Sequence, residues 1–407
     1  MKELDVLVIG AGAAGCFSAI KASENFQHAK IAILERNAKP LAKVKISGGG
    51  RCNVTNVISN PEELSKNYPR GERFLKKAFY QFSSSDMKAW LESRNVPLKL
   101  YPDGCYFPVS NDSQTIIDCF LNELSKNDVQ LLLNQRVEKV KKLESGLFEV
   151  QTPEDVFRSR AVIVTTGGQP KISGFELLKE FDLKIVSPVP SLFTFNMPNE
   201  PIKELMGIVQ ENALVKIIGE KWTSNGPLLI THWGMSGPAV LKSSAFGARV
   251  FELKGYKSQI AVNWTGEENQ EVVREAINQF VKSNKLVVNT PLYTIKSRLW
   301  TYLVEKAGIP NQFKCSELTA RHQNKLLEVL VNDLYSMEGK TTFKEEFVTA
   351  GGIDLNEINV QTMESKKYPG LFFAGETMDI DGITGGFNFQ AAWTTAAIAG
   401  MNALKNK

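Results

Sequence analysis

The stretch DVLVIGAGAAGCFSAI near the N-terminus restricts the fold more than any other part of this chain. Residues 5–9 read as a short Val/Leu/Ile strand, residues 10–15 as a tight turn, and residues 16–25, mostly small, as a helix. Residues 30–34 form a second strand that ends at Glu35, so strand, helix and strand make a parallel βαβ unit. Gly10, Gly12 and Gly15 give G-x-G-x-x-G at the turn, with an acid about twenty residues on. Gly10 permits the turn, Gly12 lets a pyrophosphate approach the backbone, and Gly15 lets helix and strand pack closely. The amides of Ala13 and Ala14 then face the anion with the helix dipole behind them. Glu35 can accept hydrogen bonds from both ribose hydroxyls of an adenosine and would repel a 2′-phosphate. The same glycines also serve a plain strand-to-helix turn, but with the acid in place the expected ligand is FAD or NAD, not NADP.

Composition narrows the class. With 407 residues, 43% hydrophobic and 23% charged, the chain is long enough for about two or three domains. A formal charge of +4 without a long basic run is a weak pointer to nucleic acid, so a small-molecule substrate is the expected partner. Five widely spaced cysteines without a C-x-x-C pair, and only three histidines, argue against a disulfide scaffold or structural zinc. The apolar N-terminus could pass for a signal peptide, but its regular glycines suit strand, turn and helix better. No apolar run approaches the ~18 residues of a membrane span, and a cytoplasmic location is expected.

Residues 72–92 and 112–127 have helical spacing, and 129–164 alternate like strands up to AVIVTTGG. Between 183 and 203, Pro188, Pro190, Pro198 and Pro201 interrupt regular structure and mark a domain border. NALVKIIG, PLLITHW, VFELKGY and QIAVNWT follow as strand-like pieces, then helical stretches near 267–283, 291–306 and 316–337. Thr265 and Glu268 have capping-box spacing, and Leu292, Ile295, Leu299, Tyr302 and Leu303 form an apolar core stripe. FVTAGGI and GLFFAGE return to buried-strand character before a glycine turn and a last helix. The expected layout is a first nucleotide-binding part at 1–190, a β-rich insertion at 191–265, a helical subdomain at 266–340, and a closing nucleotide-binding part at 341–407.

The terminal stretch GETMDIDGITGGFNFQ places Gly385 and Gly386 at the start of that last helix. A helix N-terminus offers free amides to a developing negative charge, which appears on a reduced flavin and not on a reduced nicotinamide. A capped terminal helix with a tight entry loop would look the same.

GAGAAG at 10–15, SGGGRCNVTN at 47–56, GPLLITHWGMSGPAVL at 226–241 and the run from TAGGIDLNEIN to GLFFAGETMDIDGITGGFNFQAAW at 349–393 carry a family resemblance over nearly the whole chain. The chain resembles the HI0933-like bacterial flavoproteins, also called the BaiN/RdsA or "aminoacetone oxidase" family. That resemblance implies an α/β fold: a Rossmann-like FAD-binding domain of glutathione-reductase type with an inserted β-barrel and helical domain. It places Glu376, with Gly375 before it, at the ribityl chain, and Gly386, Phe387 and Asn388 near the isoalloxazine. It implies that Val137, on a strand RVEKV, meets the adenine through its backbone, that Thr166 and Gly167 form the turn beside the nucleotide, and that Arg36 joins Glu35 in the cofactor site.

Relatives carry a glycine and two basic residues where this chain has Leu41, Ala42 and Lys43; only Lys43 carries over, and a tight turn at residue 41 stays open. The family segment after the TGG turn is shortened here to QPKISGFELLKEFDLKI, so no substrate role is carried over there. Glutathione-reductase-like enzymes have a C-x-x-x-x-C dithiol, but only Cys52 is present and its partner would fall at Val57. Ser47, Gly48, Gly49, Gly50, Arg51 and Asn53 are instead expected to wrap amides and donors around flavin and pyrophosphate, with Thr55 and Asn56 in support. Arg51 either neutralises the pyrophosphate or forms a surface ion pair. Cys52 is either an active thiol or a small buried residue.

The expected activity is two-electron oxidoreduction of a small organic substrate, either reducing an activated carbon–carbon double bond or oxidising an amine or alcohol, with NAD(P)H as a transient donor. His232 and Ser236 are candidates for lining the substrate cavity, expected between the flavin face and the inserted domain; a histidine satisfied by packing is the plainer reading. No acid or base is assigned, and no second G-x-G-x-x-G follows a strand. The alternatives are a tRNA-modifying flavoprotein, a non-catalytic flavin sensor and an NAD-dependent dehydrogenase.

Overall fold

The computed structural model describes residues 2–341 and 348–405, so Phe347 of the FVTAGGI run lies outside the described residues. The chain divides into two units, Met1–Ser191 with Phe343–Lys407, and Leu192–Thr342.

The first unit is built on a seven-stranded sheet. Lys2–Ile9 is flanked in parallel by Ile31–Leu34 and Val156–Val164, and Gln130–Leu132 extends the parallel set beyond Ile31–Leu34. The far edge of Val156–Val164 is shared between two partners. Its first half pairs antiparallel with Phe148–Gln151, and its last residues pair in parallel with Leu371–Phe373, from the C-terminal part of the chain. The central strands are buried from Val6 to Ile9 and from Ala161 to Val164, as continuous apolar runs in a parallel sheet require. The terminal helix Phe387–Asn402 packs on helix Ala13–Asn25 so tightly that a Cβ on Gly400 would stand 2.4 Å from the Ser18 carbonyl oxygen. Both chain ends therefore build one layer.

Ile185–Pro190 is a strand despite its prolines, paired antiparallel with Thr349–Ile353. The ladder shifts register between Val186 and Val189, which takes Pro188, lacking an N–H, out of the pairing. Residues 72–92 form two helices, Glu72–Phe79 and Ser84–Glu92, because Ser83 and Asp86 close a capping box between them.

The second unit has its own seven-stranded sheet, in which the strands at the two ends of the order, Asp333–Glu338 and Lys340–Thr341, are consecutive in the chain with only Gly339 between them. The sheet and its helices share one buried cluster that includes Phe195, Leu228, Trp264, Trp300, Leu327 and Tyr335. Three expectations change here. VFELKGY, strand-like in composition, lies largely in helix Pro238–Leu253, whose Ala239, Val240, Ser243, Ala248 and Phe251 are buried; tertiary packing overrides local propensity. The helical stretch 316–337 ends at Val331, and the chain returns to the sheet at Asp333, within the single unit Leu192–Thr342. The cap of helix Gln270–Phe280 is Asn269, whose side chain accepts from Glu271 N–H, and not a Thr265/Glu268 box. Among the described residues no helix is long and apolar enough to cross a membrane.

Candidate cofactor site

Strand Lys2–Ile9 ends at Gly10, whose φ is +102°, and helix Ala13–Asn25 begins behind an extended Gly12. No side chain caps that helix and no acid lies in its first turn, so its leading amides keep their capacity for an anion. The three glycines do different work. A Cβ on Gly15 would fall 1.8 Å from the Gly10 carbonyl oxygen, while a Cβ on Gly12 would meet nothing within 4 Å. Gly15 lets the turn close, and Gly12 leaves open the space that a pyrophosphate would occupy.

Glu35 is buried and fixed. Its Oε2 accepts from Ala11 N–H at 2.8 Å, and its Oε1 accepts from the backbone and side-chain nitrogens of Asn37, each at 2.8 Å. Arg36 beside it is exposed. Gln135 N–H donates to the Glu35 carbonyl at 2.7 Å, which brings the segment containing Val137 alongside. Val137 is half-buried and precedes the strand Lys139–Lys142, so it is a connecting residue and not a strand residue.

The glycine-rich segment opens at Leu41, whose N–H donates to the Ala11 carbonyl at 2.8 Å and whose φ is +56°. The tight turn at residue 41 is thus made by a buried leucine in the left-handed region. Helix Ala42–Gly50 breaks within itself: Ser47 is extended, and Gly48, Gly49 and Gly50 have φ of +56°, +68° and +84°. Successive backbone groups turned this way form a concave surface of amides, and a Cβ on Gly49 or Gly50 would meet nothing within 4 Å. The Ser47 hydroxyl donates back to the Val44 carbonyl at 2.9 Å. Arg51 is held by its own loop and the neighbouring strand. Its Nε donates to the Gly48 carbonyl at 3.2 Å, and its guanidinium lies 4.5 Å from the centre of the Phe107 ring. Cys52 is buried, and that burial pushes its thiol up to about 12 against a smaller opposing effect of Ser47. So enclosed, Cys52 fits the reading of a small buried residue.

The end of the same segment is joined to the last helix. With its amide oxygen toward Gly386, Asn53 accepts from Gly386 N–H at 3.1 Å and donates to the Thr55 carbonyl at 3.1 Å. Thr55 Oγ1 donates to Gln390 Oε1 at 2.6 Å, Asn56 Nδ2 to the Gly385 carbonyl at 3.1 Å, and Trp393 Nε1 to the Val54 carbonyl at 2.9 Å. Gly386, at φ +86°, caps helix Phe387–Asn402 without a side-chain bond, and a Cβ there would stand 2.7 Å from the Asn53 side-chain amide.

The GET turn closes the remaining side. Gly375 N–H donates to Thr395 Oγ1 at 2.9 Å, and a Cβ on Gly375 would touch Ala14 Cβ at 3.0 Å. Glu376 Oε2 accepts from Lys43 Nζ at 2.7 Å and from Gly168 N–H at 3.3 Å. Gly167 N–H donates to Thr377 Oγ1 at 3.2 Å, and the Thr166 hydroxyl lies 3.5 Å from the same atom. Phe387 is buried, with its carbonyl accepting from Tyr68 OH at 2.7 Å. Asn388 spends both amide atoms on the backbone of Gly382 at 2.8 Å, which makes it a clasp on the entry loop.

The sequence places Asp381 in the loop before the last helix but does not signal its pairing with Arg70. The aspartate is fully buried and hydrogen-bonded to Arg70 and Ser191. Burial pushes its carboxyl up, and the Arg70 guanidinium opposes that. A lone arginine in NYPRGE and an acid in MDIDG carry no spacing that would join them. His232 and Ser236 belong to the second unit. His232 is exposed with its ring edge-on to Trp233 at 4.4 Å, and Ser236 pairs with Leu229 in the sheet.

The family model described as "HI0933-like protein Rossmann domain" matches residues 4–402. The chain belongs to the HI0933-like family. This HI0933-like protein is 29% identical over 406 residues to the ribosomal RNA dihydrouridine synthase of Escherichia coli K12, covering 97% of each. It is 26% identical over 410 residues to the 3-dehydro-bile acid delta(4,6)-reductase of Clostridium scindens, covering 98% of each. Its fold is that of 3-ketosteroid-delta4-(5alpha)-dehydrogenase from Rhodococcus jostii RHA1, with TM-score 0.53 and 12% identity over 99% of this chain and 97% of that one. It is an oxidoreductase of the FAD-binding Rossmann class, and the open faces at Gly12, Gly49 and Gly50 together with the fixed Glu35 fit that dinucleotide.

Proposed function

We propose that this chain is an FAD-dependent reductase that saturates a carbon–carbon double bond conjugated to a carbonyl, and that its substrate is a uracil base in ribosomal RNA. The observation that carries the reading is the full-length likeness to two relatives whose named reactions share that chemistry. Forming dihydrouridine from uridine adds two hydrogens across C5 and C6, next to the C4 carbonyl. A 4,6-unsaturated 3-keto bile acid presents the same electronic arrangement. Bound FAD supplies two-electron hydride chemistry, with NADH or NADPH proposed as donor.

The chain's own residues bind and orient. Glu35 takes the adenosine ribose, with Arg36 and the Val137 backbone on the adenine side, and the amides of Ala13 and Ala14 take the pyrophosphate behind Gly12. The Ser47–Gly50 backbone and Asn53 hold the flavin, while Lys43, Thr166, Gly167, Gly375 and Glu376 hold the ribityl side. The uncapped first turn after Gly385 and Gly386 offers a positive dipole end to the charge of the reduced ring. We read the second unit as the inserted barrel with its helices, which an order of strands whose ends are consecutive in the chain supports.

The test is to purify the protein, record its visible spectrum, mix it anaerobically with NADH and NADPH, and digest rRNA treated with it for nucleoside mass spectrometry. Yellow colour that bleaches, with a uridine gaining two hydrogens, is the expected result. A bleaching protein that leaves RNA unchanged and reduces a steroid dienone favours the second reading, a small-enone reductase, which rests on the Clostridium relative. A colourless protein overturns both.

A further inference from the structure

Next to the glycine loop stands a cluster of basic and aromatic side chains. Leu98–Leu100 and Cys105–Pro108 form an antiparallel hairpin in which Lys99 lies directly opposite Phe107. Tyr101, just past the first strand, meets Phe107 edge-on at 5.0 Å. The Arg51 guanidinium covers both rings, 4.5 Å from Phe107 and 5.7 Å from Tyr101, and Lys99 Nζ lies 5.4 Å from Tyr101. The group borders the loop assigned to the flavin, because a Cβ on Gly48 would stand 3.0 Å from Phe107 Cε1.

Core packing accounts for Phe107, which is buried, but not for the others. Arg51 and Lys99 are exposed and Tyr101 is half-exposed. Leu100 at the rim is 47% exposed and Val109 54%. Two cations and an accessible aromatic ring beside a reaction site match the needs of a single-stranded nucleic acid: a ring on which a base stacks and charges that meet the phosphates on either side. A neutral steroid would instead call for an apolar enclosure.

We propose that Arg51, Lys99 and Tyr101 form the docking surface for the RNA strand flanking the reduced base, with Tyr101 stacking a neighbouring base and the two cations meeting phosphates. This rests on the reading of RNA as substrate. It moves Arg51 from cofactor to substrate, in keeping with its turn toward the hairpin.

The experiment uses the full-length FAD-loaded protein and a fluorescent single-stranded oligoribonucleotide of rRNA sequence. Binding is followed by anisotropy from low to moderate salt, and uridine reduction by mass spectrometry. Combining Lys99→Ala with Tyr101→Ala is expected to weaken binding by roughly tenfold or more and to lower the salt slope by about one. Tyr101→Phe, which keeps the ring, should bind nearly as wild type. Flavin content and the rate of bleaching by NADH should stay unchanged, since neither residue was placed at the cofactor. Lys99→Glu, a change at an exposed position, gives a second measure with no packing lost and should weaken binding further at low salt. If wild type binds and reduces RNA but these variants bind as tightly, the docking surface is wrong and the RNA reading stands. If wild type neither binds nor reduces RNA, both fall together.

Discussion

Lys43 donates to Glu376 at 2.7 Å across 333 residues of sequence. The ammonium is half-exposed, so the pair itself adds little stability, about 1 kcal/mol at most. Its value is positional, since the same carboxylate oxygen accepts from Gly168 N–H and so ties three separate segments. Glu376→Ala is therefore expected to change the melting temperature by only a degree or two, while raising the FAD dissociation constant about tenfold. Calorimetry of the apoprotein and flavin titration separate the two effects. A large fall in apoprotein stability with unchanged flavin affinity would overturn the assignment.

Gly386→Ala should act the other way. At φ +86°, with a new Cβ 2.7 Å from the Asn53 side-chain amide and from the Thr55 carbonyl carbon, alanine meets both backbone strain and rigid neighbours. The left-handed conformation alone costs about 1–2 kcal/mol, so the melting temperature should fall by several degrees. Asn53→Ala, which removes one side of that contact, should recover part of the loss in the double variant. Strict additivity would show that the two residues do not act through each other.

The first turn was legible because its chemistry is local: strand, glycines, helix and acid lie within one stretch. The glycine segment was half legible. Its glycines announced a non-regular backbone, but nothing in the sequence said that Leu41 would adopt positive φ or that Arg51 would turn outward onto Phe107. The first is tied to the Ala11 carbonyl, which accepts from Leu41 N–H, and the second to Phe107 in the Cys105–Pro108 strand, some fifty residues away. VFELKGY misled for a related reason: its β-branched and aromatic residues read as strand, yet Val250–Leu253 close a helix that is anchored there by buried Phe251 and, further back, by small residues such as Ala239, Ser243 and Ala248.

Buried Asp381 and Arg70 make a third prediction. Removing one partner of a largely enclosed ion pair costs up to about 3–5 kcal/mol, and Arg70, 14% exposed and also donating to Ser191, keeps part of its compensation. Asp381→Ala should lower denaturant resistance by that order, whereas Asp381→Asn, which keeps an acceptor for Arg70 and Ser191, should cost less. Equal losses in both would mean that charge, not hydrogen bonding, dominates the site.

Cys52 allows a test in pH. All five cysteines are free and buried, and the Cys52 thiol is pushed up to about 12 by burial. At pH 8 only about one molecule in ten thousand carries its thiolate, so iodoacetamide should leave Cys52 unmodified in the native protein and alkylate it after unfolding. A folded thiol held above its free value contributes stability that is complete below about pH 9. That contribution is lost as pH rises from there toward 12, so the melting temperature should decline in alkali. Rapid native labelling of Cys52 at pH 8 would return it to the list of active thiols.

Gly12 and Gly15 give the sharpest contrast because their sequence roles look alike and their surroundings do not. A Cβ on Gly12 faces open space, so Gly12→Val should fold with nearly wild-type stability. The valine would stand where a pyrophosphate must approach the amides of Ala13 and Ala14, so the purified variant should be colourless. A Cβ on Gly15 would fall on the Gly10 carbonyl oxygen, so Gly15→Val should fail at the level of the fold, with little soluble protein recovered. Circular dichroism and the flavin absorbance of both variants decide the matter, and a folded, yellow Gly12→Val protein would remove this turn from the cofactor site.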